Sequence, residues 1–421
     1  MNKSINIIKN NDEDKITNKN INNTKNNNYK NKSENKSFND NNKKVNIINN
    51  NNYIKKSDNS SNKNIISLKI ESSHAKGLKN LEDSGFLNST LQCLAHIEKL
   101  TKYFLNSENY KKITSNKSNN KFSFDYLDFL TNLWINNNNI CSSENIKHAL
   151  NGLNPLFNNN IQINYNYNYS DNFILLFMEM LHKELNIPNY TNNTLSQNNQ
   201  FFNPCFNQYD YNSTFNSFAI NFKSNYNSII SGLFYGMYNS MMQCLNCQII
   251  IHNIQILNIL TFPLSEVLLL KNIYNMSLSE FNEVNILDCF AYYQNNVYDT
   301  GENQIFCNNC RSMANSLKCK KILISPKVLI INLIKGENIR LKYEEYLYIK
   351  DFLFYQASPN YYQLNGIVSL VNNNYIAFCK SFMNGEWYKY NNEEVIGSTF
   401  DEARNTGTPI YLFYTYMKVN S

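Results

Sequence analysis

Residues 77–94 read GLKNLEDSGFLNSTLQCL, a glycine-led polar turn running into an apolar segment. Leu87, Leu91, Leu94 and Ile97 recur at helical spacing and predict a helix over Ser84–Leu100. Working outward, residues 172–185 (NFILLFMEMLHKEL) make a second, strongly apolar helix. From about residue 229 the pattern turns strand-like, with runs at Ile322–Ile324, Val328–Leu333, Tyr362–Leu370, Tyr375–Cys379 and Ile410–Tyr414. Helices first and an antiparallel β region after is an α+β order.

The 421 residues carry 39 Lys+Arg against 33 Asp+Glu, but the charge is unevenly placed. Residues 1–65 hold 24 Asn, 13 Lys and six acids, a net of +7, which leaves residues 66–421 at −1. That tail is too poor in apolar residues to offset the entropy of ordering, and it is read as disordered. The rest has no basic excess to grip phosphates, so nucleic acid is a ligand only through the tail. The asparagine runs at 137–139 and 158–160, and the polar region Asn189–Asn227, read as surface insertions. The start of the chain shows no signal-peptide pattern, and no run reaches the ~18 apolar residues of a membrane span. The expected setting is cytoplasm or nucleus without a membrane partner, where the ten cysteines stay reduced.

Cys244-Leu-Asn-Cys247 and Cys307-Asn-Asn-Cys310 are two CxxC knuckles separated by 59 residues. Each offers two thiolates to one ion, and together they complete a closed four-sulfur site for structural Zn2+. Two other readings stand beside this one, a pair of plain core thiols and a redox CxxC. A closed site leaves no coordination position for substrate.

The 77–94 stretch resembles the first box of the ubiquitin-specific proteases, roughly GLxNLGNTCYxNSxLQxL. Ser170-Asp171 before an apolar helix resembles the family's QQDxxEF box. Leu233-Phe234-Tyr235-Gly236 resembles its approach to the first knuckle, and Ser325–Leu333 its strand after the second. Tyr362–Ser369 with Asn374–Ala377 resembles the His box, and Trp387–Asn391 with Tyr411–Tyr414 completes the series over about residues 74–418. The resemblance implies a papain-like cysteine protease fold. Its parts are a helical thumb (about 74–200), zinc-ribbon fingers (about 230–320) and an antiparallel palm sheet (largely about 320–418).

Family chemistry is attack by a thiolate on the carbonyl of ubiquitin's C-terminal glycine, with a His exchanging the proton. The nucleophile position here is Gly85, which has no side chain. The general-base position is Asn374, an amide that does not titrate near neutral pH. The orienting position, Asn391, and the oxyanion position, Asn80, keep residues that the family accepts. All five histidines (His74, His96, His148, His182 and His252) precede residue 253, so no change of register supplies a base from the C-terminal part. Cys93, Cys289, Cys319 and Cys379 read as packed thiols. Cys141 could open a helix carrying His148, two turns away and out of reach.

Other departures touch ubiquitin binding. Asp171, which would hold ubiquitin's basic tail, is kept, but Ile174 replaces its acidic partner. Asp171 could instead simply cap its helix, and Asn80 and Asn391 could persist by bonding local backbone. Glu82-Asp83 replaces Gly-Asn beside the vacant nucleophile. Asn373 replaces a glycine, with an expected loss of backbone freedom. The reading is a catalytically inactive member acting as a ubiquitin-binding or scaffold module, in the ubiquitin pathway or an RNA-processing complex. Its partner would be ubiquitin or a ubiquitinated protein. The alternative is an active thiol-dependent deubiquitinase hydrolysing ubiquitin isopeptide bonds, which requires a relocated nucleophile and base.

Overall fold

The computed structural model describes residues 70, 72, 74–82, 84–136, 140–151, 169–188, 205–207, 211–275, 282–334, 336, 338–355 and 358–418. The tail at 1–65 and the asparagine runs at 137–139 and 158–160 lie outside them, as do the readings placed there.

The first part is helical. β1 (Gly77–Leu78) leads into α1 (Gly85–Ala95), α2 (Glu98–Leu105), α3 (Ser107–Ser115) and α4 (Lys121–Trp134). β2 (Ile140–Cys141) pairs in parallel with β1, and α5 (Glu144–Asn151) and α6 (Tyr169–Leu185) follow. The single helix expected over Ser84–Leu100 is therefore two. Ile97 takes an extended conformation, φ −78° and ψ 97°. The Thr101 hydroxyl donates to the Ala95 carbonyl at 2.7 Å, capturing an acceptor that a continuous helix would use.

Within the region 189–227, the described residues include regular structure. β3 (Cys205–Asn207) joins a sheet edge, and α7 (Tyr211–Asn225) is a full helix. Phe215 of α7 is buried against Met237, Ile254 and Leu323. Asparagine-rich composition hid a helix whose aromatic face, Phe215, Phe218 and Phe222, packs on the next sheet. Helices also interrupt the stretch read as strands. α8 (Ile229–Phe234) starts on a capping box in which Ser228 accepts from the Ser231 N–H.

β4 (Gly236–Cys244) and β5 (Ile250–Leu257) form a hairpin, and β6 (Ile259–Pro263) departs to a second sheet. α9 (Leu264–Asn275), β7 (Glu283–Asn285) and α10 (Ile286–Tyr293) come next. They are followed by β8 (Val297–Asp299), the short hairpin β9 (Ile305–Cys307) and β10 (Ser312–Ala314), and the long β11 (Ser316–Ile324). The finger sheet runs β3-β5-β4-β11-β8.

The palm is built from β6 with β12 (Val328–Ile334), β15 (Tyr361–Val371), β16 (Asn374–Lys380), β17 (Trp387–Asn391), β18 (Glu394–Ser398) and β19 (Thr408–Tyr416). β13 (Arg340–Lys342) and β14 (Tyr346–Tyr348) precede β15, with β14 pairing beside it, and α11 (Phe400–Asn405) precedes β19. Pairing is antiparallel, as expected, except where β12 lies parallel to β6. The run Val328–Leu333 is apolar almost throughout because both faces of the sheet are covered. Val328 and Ile330 join the helical core, while Leu329, Ile331 and Leu333 join the core on the opposite face.

α1 lies directly on β15 and β16. A Cβ on Gly366 would stand 2.9 Å from the Cys93 sulfur, so glycine is what lets the helix settle this close.

Candidate functional site

The site grows from the start of α1. Ser84, its N-cap residue, is buried, and its hydroxyl donates to the Leu81 carbonyl at 2.7 Å and accepts from the Leu81 N–H at 2.9 Å. This tight loop presents Gly85 as the first helical residue.

Asn88, one turn on and 2 % exposed, ties the helix to its surroundings. Its amide nitrogen donates to the Lys79 carbonyl (3.1 Å), Ser84 Oγ (3.2 Å) and Asn392 Oδ1 (2.9 Å), and its Oδ1 accepts from Ser143 Oγ (2.7 Å). The tip of the β17–β18 hairpin is thereby held against α1. Leu78 N–H donates to the Asn392 carbonyl at 2.7 Å, and Asn80 N–H donates to Glu393 Oε1 at 3.4 Å. A Cβ on Gly77 would collide with the Glu393 carbonyl oxygen at 2.2 Å, so the hairpin tip passes over a glycine by necessity. Asn80, Gly85 and Asn391 thus meet in one locality although 311 residues separate the first from the last.

The opposite wall is the start of β16. A Cβ built on Gly85 would lie 3.9 Å from the backbone nitrogen and Cβ of Tyr375, an ordinary contact. Asn374 directly precedes Tyr375 and is exposed. Asn372 and Asn373 form the two-residue turn into β16 with φ of 48° and 64°. The expected loss of glycine's freedom at Asn373 does not occur. Asparagine is among the few side chains that accept this left-handed region, and two such residues in succession suit a tight hairpin. Phe86 wedges the walls together, with ring centroids 5.2 Å from Tyr375, 5.9 Å from Tyr411 and 6.0 Å from Phe173.

Asn80 is exposed and Asn391 half-buried, and among the described residues neither side chain shows a hydrogen bond. Asp171 is the third residue of α6, within its first turn and not ahead of it, and its side chain lies outside the described residues. Ile174, one turn on, is fully buried in the helical core, where a carboxylate would lose its hydration.

The histidines go elsewhere. His96 is buried between Trp134 and Tyr390, with Nδ1 2.7 Å from the Gln92 carbonyl oxygen and Nε2 3.1 Å from the Tyr390 hydroxyl. Burial lowers its pKa to about 4. His182 Nδ1 is 2.7 Å from Ser228 Oγ, and His148 is exposed beside Glu144. His74 lies against Tyr388, and His252 pairs with Asn239 in the fingers. Cys93 faces Cys379 at 3.8 Å, both fully buried. Cys141 is in β2 and opens no helix, and burial pushes its thiol up to about 12.

At the fingers, Cys244, Cys247, Cys307 and Cys310 bring their sulfurs within 4.8 Å of one another. Cross-pairs stand 3.8 Å apart (Cys244–Cys310) and 3.7 Å apart (Cys247–Cys307). Four sulfurs about 2.3 Å from a tetrahedral ion would be roughly 3.8 Å apart, so the cluster could hold a metal ion. The knuckles are alike: Gln248 and Arg311, each just after the second cysteine, have φ of 62° and 53°. Their N–H groups donate to the carbonyls of Cys244 and Cys307.

Residues 76–414 match the sequence model of the ubiquitin carboxyl-terminal hydrolases. The chain belongs to that family. It is 21% identical over 364 residues to ubiquitin carboxyl-terminal hydrolase 2 of Bos taurus, covering 80% of this chain and 54% of the relative. It is 22% identical over 354 residues to ubiquitin carboxyl-terminal hydrolase Usp2 of Drosophila melanogaster, covering 80% of this chain and 34% of that one. The chain thus spans about half the length, or less, of these relatives. A solved SAGA DUB module, Ubp8 with Sgf11, Sus1 and Sgf73 bound to monoubiquitin, shares the fold. Its TM-score is 0.55 and its identity 20%, covering 82% of this chain and 70% of that one. Thumb, fingers and palm are the family's ubiquitin-specific protease form of the papain-like architecture.

Two residues of the site escaped the sequence reading. Glu393 reaches Asn80 only through the hairpin tip, and no local pattern marks it. Asn88 stood in view within residues 77–94, but its role is a set of tertiary hydrogen bonds.

Proposed function

We propose that this chain is a ubiquitin-binding member of its family that no longer hydrolyses ubiquitin conjugates, and that it serves as a recognition or scaffold module. One observation carries the reading. At the start of α1, facing Tyr375, stands Gly85, and the adjoining position on β16 is Asn374. Neither supplies a nucleophile or a proton acceptor at neutral pH. Asn80 and Asn391 would still orient a carbonyl without attacking it. The family's ubiquitin complexes, of which the monoubiquitin-bound SAGA DUB module is one, support the partner. The four finger cysteines would hold a structural Zn2+, closed to substrate, that fixes the two knuckles and takes no part in chemistry. The working setting would be cytoplasm or nucleus. Among the described residues no helix is long and apolar enough to cross a membrane.

The test pairs a ubiquitin-propargylamide probe with a ubiquitin titration. Binding without labelling is the expected result. Labelling would establish the alternative, an active thiol-dependent deubiquitinase, and neither binding nor labelling would remove ubiquitin as the partner.

A further inference from the structure

We propose, resting on the ubiquitin-binding reading above, that this cleft selects ubiquitin whose C-terminus is tied up as an amide over free ubiquitin ending in a carboxylate. It would be a reader of intact conjugates that releases the hydrolysed product.

Charge at the oxyanion position carries the inference. Asn80 N–H donates to Glu393 Oε1 at 3.4 Å, so a carboxylate stands beside the residue that would meet the terminal carbonyl oxygen. Glu393 is kept there by the backbone: Leu78 N–H holds the neighbouring Asn392 carbonyl, and glycine at 77 lets the hairpin tip close down. The opposite wall offers nothing to offset it, because Gly85 and Asn374 are both uncharged. Two cations lie in the vicinity. Lys147 donates its ammonium to the Glu82 carbonyl, and Lys79 is exposed beside Asn80. In the sequence the acids Glu82-Asp83 and Glu393-Glu394 outnumber these two lysines, and Glu393 is the one bonded to Asn80.

A free ubiquitin carboxylate and an isopeptide carbonyl would accept the same hydrogen bonds from Asn80. The carboxylate would also face Glu393 as a like charge, which the neutral amide would not. No bond is made or broken in this recognition.

The experiment uses the full chain and three probes: ubiquitin with its native carboxylate, ubiquitin joined through an isopeptide bond to a lysine peptide, and ubiquitin lacking its last two residues. The isopeptide form should bind tighter than the carboxylate form by on the order of fivefold at low ionic strength, with the gap shrinking as salt is raised. The truncated form should bind weakest. Glu393→Gln should bring the two full-length forms to parity. Equal affinities in the unaltered chain, a gap that survives Glu393→Gln, or undiminished binding of truncated ubiquitin would each overturn the selectivity. If none of the three binds, the ubiquitin reading falls and this inference with it. Equal binding of all full-length forms leaves that reading standing.

Discussion

Gly85 and Tyr375 face each other across the cleft, with room between them for a β-carbon 3.9 Å from the Tyr375 backbone nitrogen. The start of α1 and the start of β16 thus form the two walls that the proposed function assigns to a vacant nucleophile and base.

Gly85→Cys should therefore fold, with stability within about 1 kcal/mol of the parent, because the new Cβ meets no closer contact and replaces a helix-weakening glycine. Alone it should show no turnover of a fluorogenic ubiquitin substrate, since Asn374 accepts no thiol proton. Adding Asn374→His should raise probe labelling above the single variant. Hydrolysis by Gly85→Cys alone would show that another group acts as base.

Metal analysis should find one zinc per chain, and Cys247→Ser or chelation should release it. Loss of the ion should lower Tm by on the order of 5 °C or more, because binding free energy at a structural site is folding free energy. A chain that retains its Tm after verified zinc removal would contradict a structural role.

Asn88→Ala removes a buried side chain that makes four hydrogen bonds and strands its partners on Ser143 and Asn392. Denaturant unfolding should show a loss of about 2–4 kcal/mol. The cleft should suffer in parallel, with weaker ubiquitin binding, because the β17–β18 tip loses its tie to α1.

His96 supplies a pH dependence. Its folded pKa, about 4 through burial, lies below the ordinary 6.5. Between these values the unfolded chain binds the proton and the folded chain does not, so stability is full above pH 6.5 and falls as pH drops toward 4. The loss should approach roughly 3 kcal/mol at the acid end. His96→Gln should flatten this part of the stability–pH curve, measured by urea midpoints from pH 4 to 7.

Much of this could be read in the residues, for identifiable reasons. The CxxC pairs and the 77–94 stretch are local patterns: the four sulfurs converge, and a helix starts at Gly85 after the polar turn. The doubly buried strand Val328–Leu333 announces itself by composition. What stayed hidden depends on contacts between distant segments. The break at Ile97 follows from one hydroxyl, Thr101, taking the Ala95 carbonyl. α7 was masked by asparagines that flank its aromatic face. The left-handed turn at Asn373 survived because asparagine does there what glycine would. Glu393 meets Asn80 across 313 residues, and no window on the sequence spans that.

The parallel pairing of β6 with β12 gives the cysteine cluster a wider reach. The first knuckle sits on the β4–β5 hairpin and the second beside β9, and β6, between them in sequence, is a strand of the palm. An ion held by all four sulfurs would fasten a circuit of chain that leaves the fingertip, runs along the edge strand of the palm and returns. Loss of such an ion would then slacken fingers and palm edge together, so its effect would reach beyond the two knuckles that hold it.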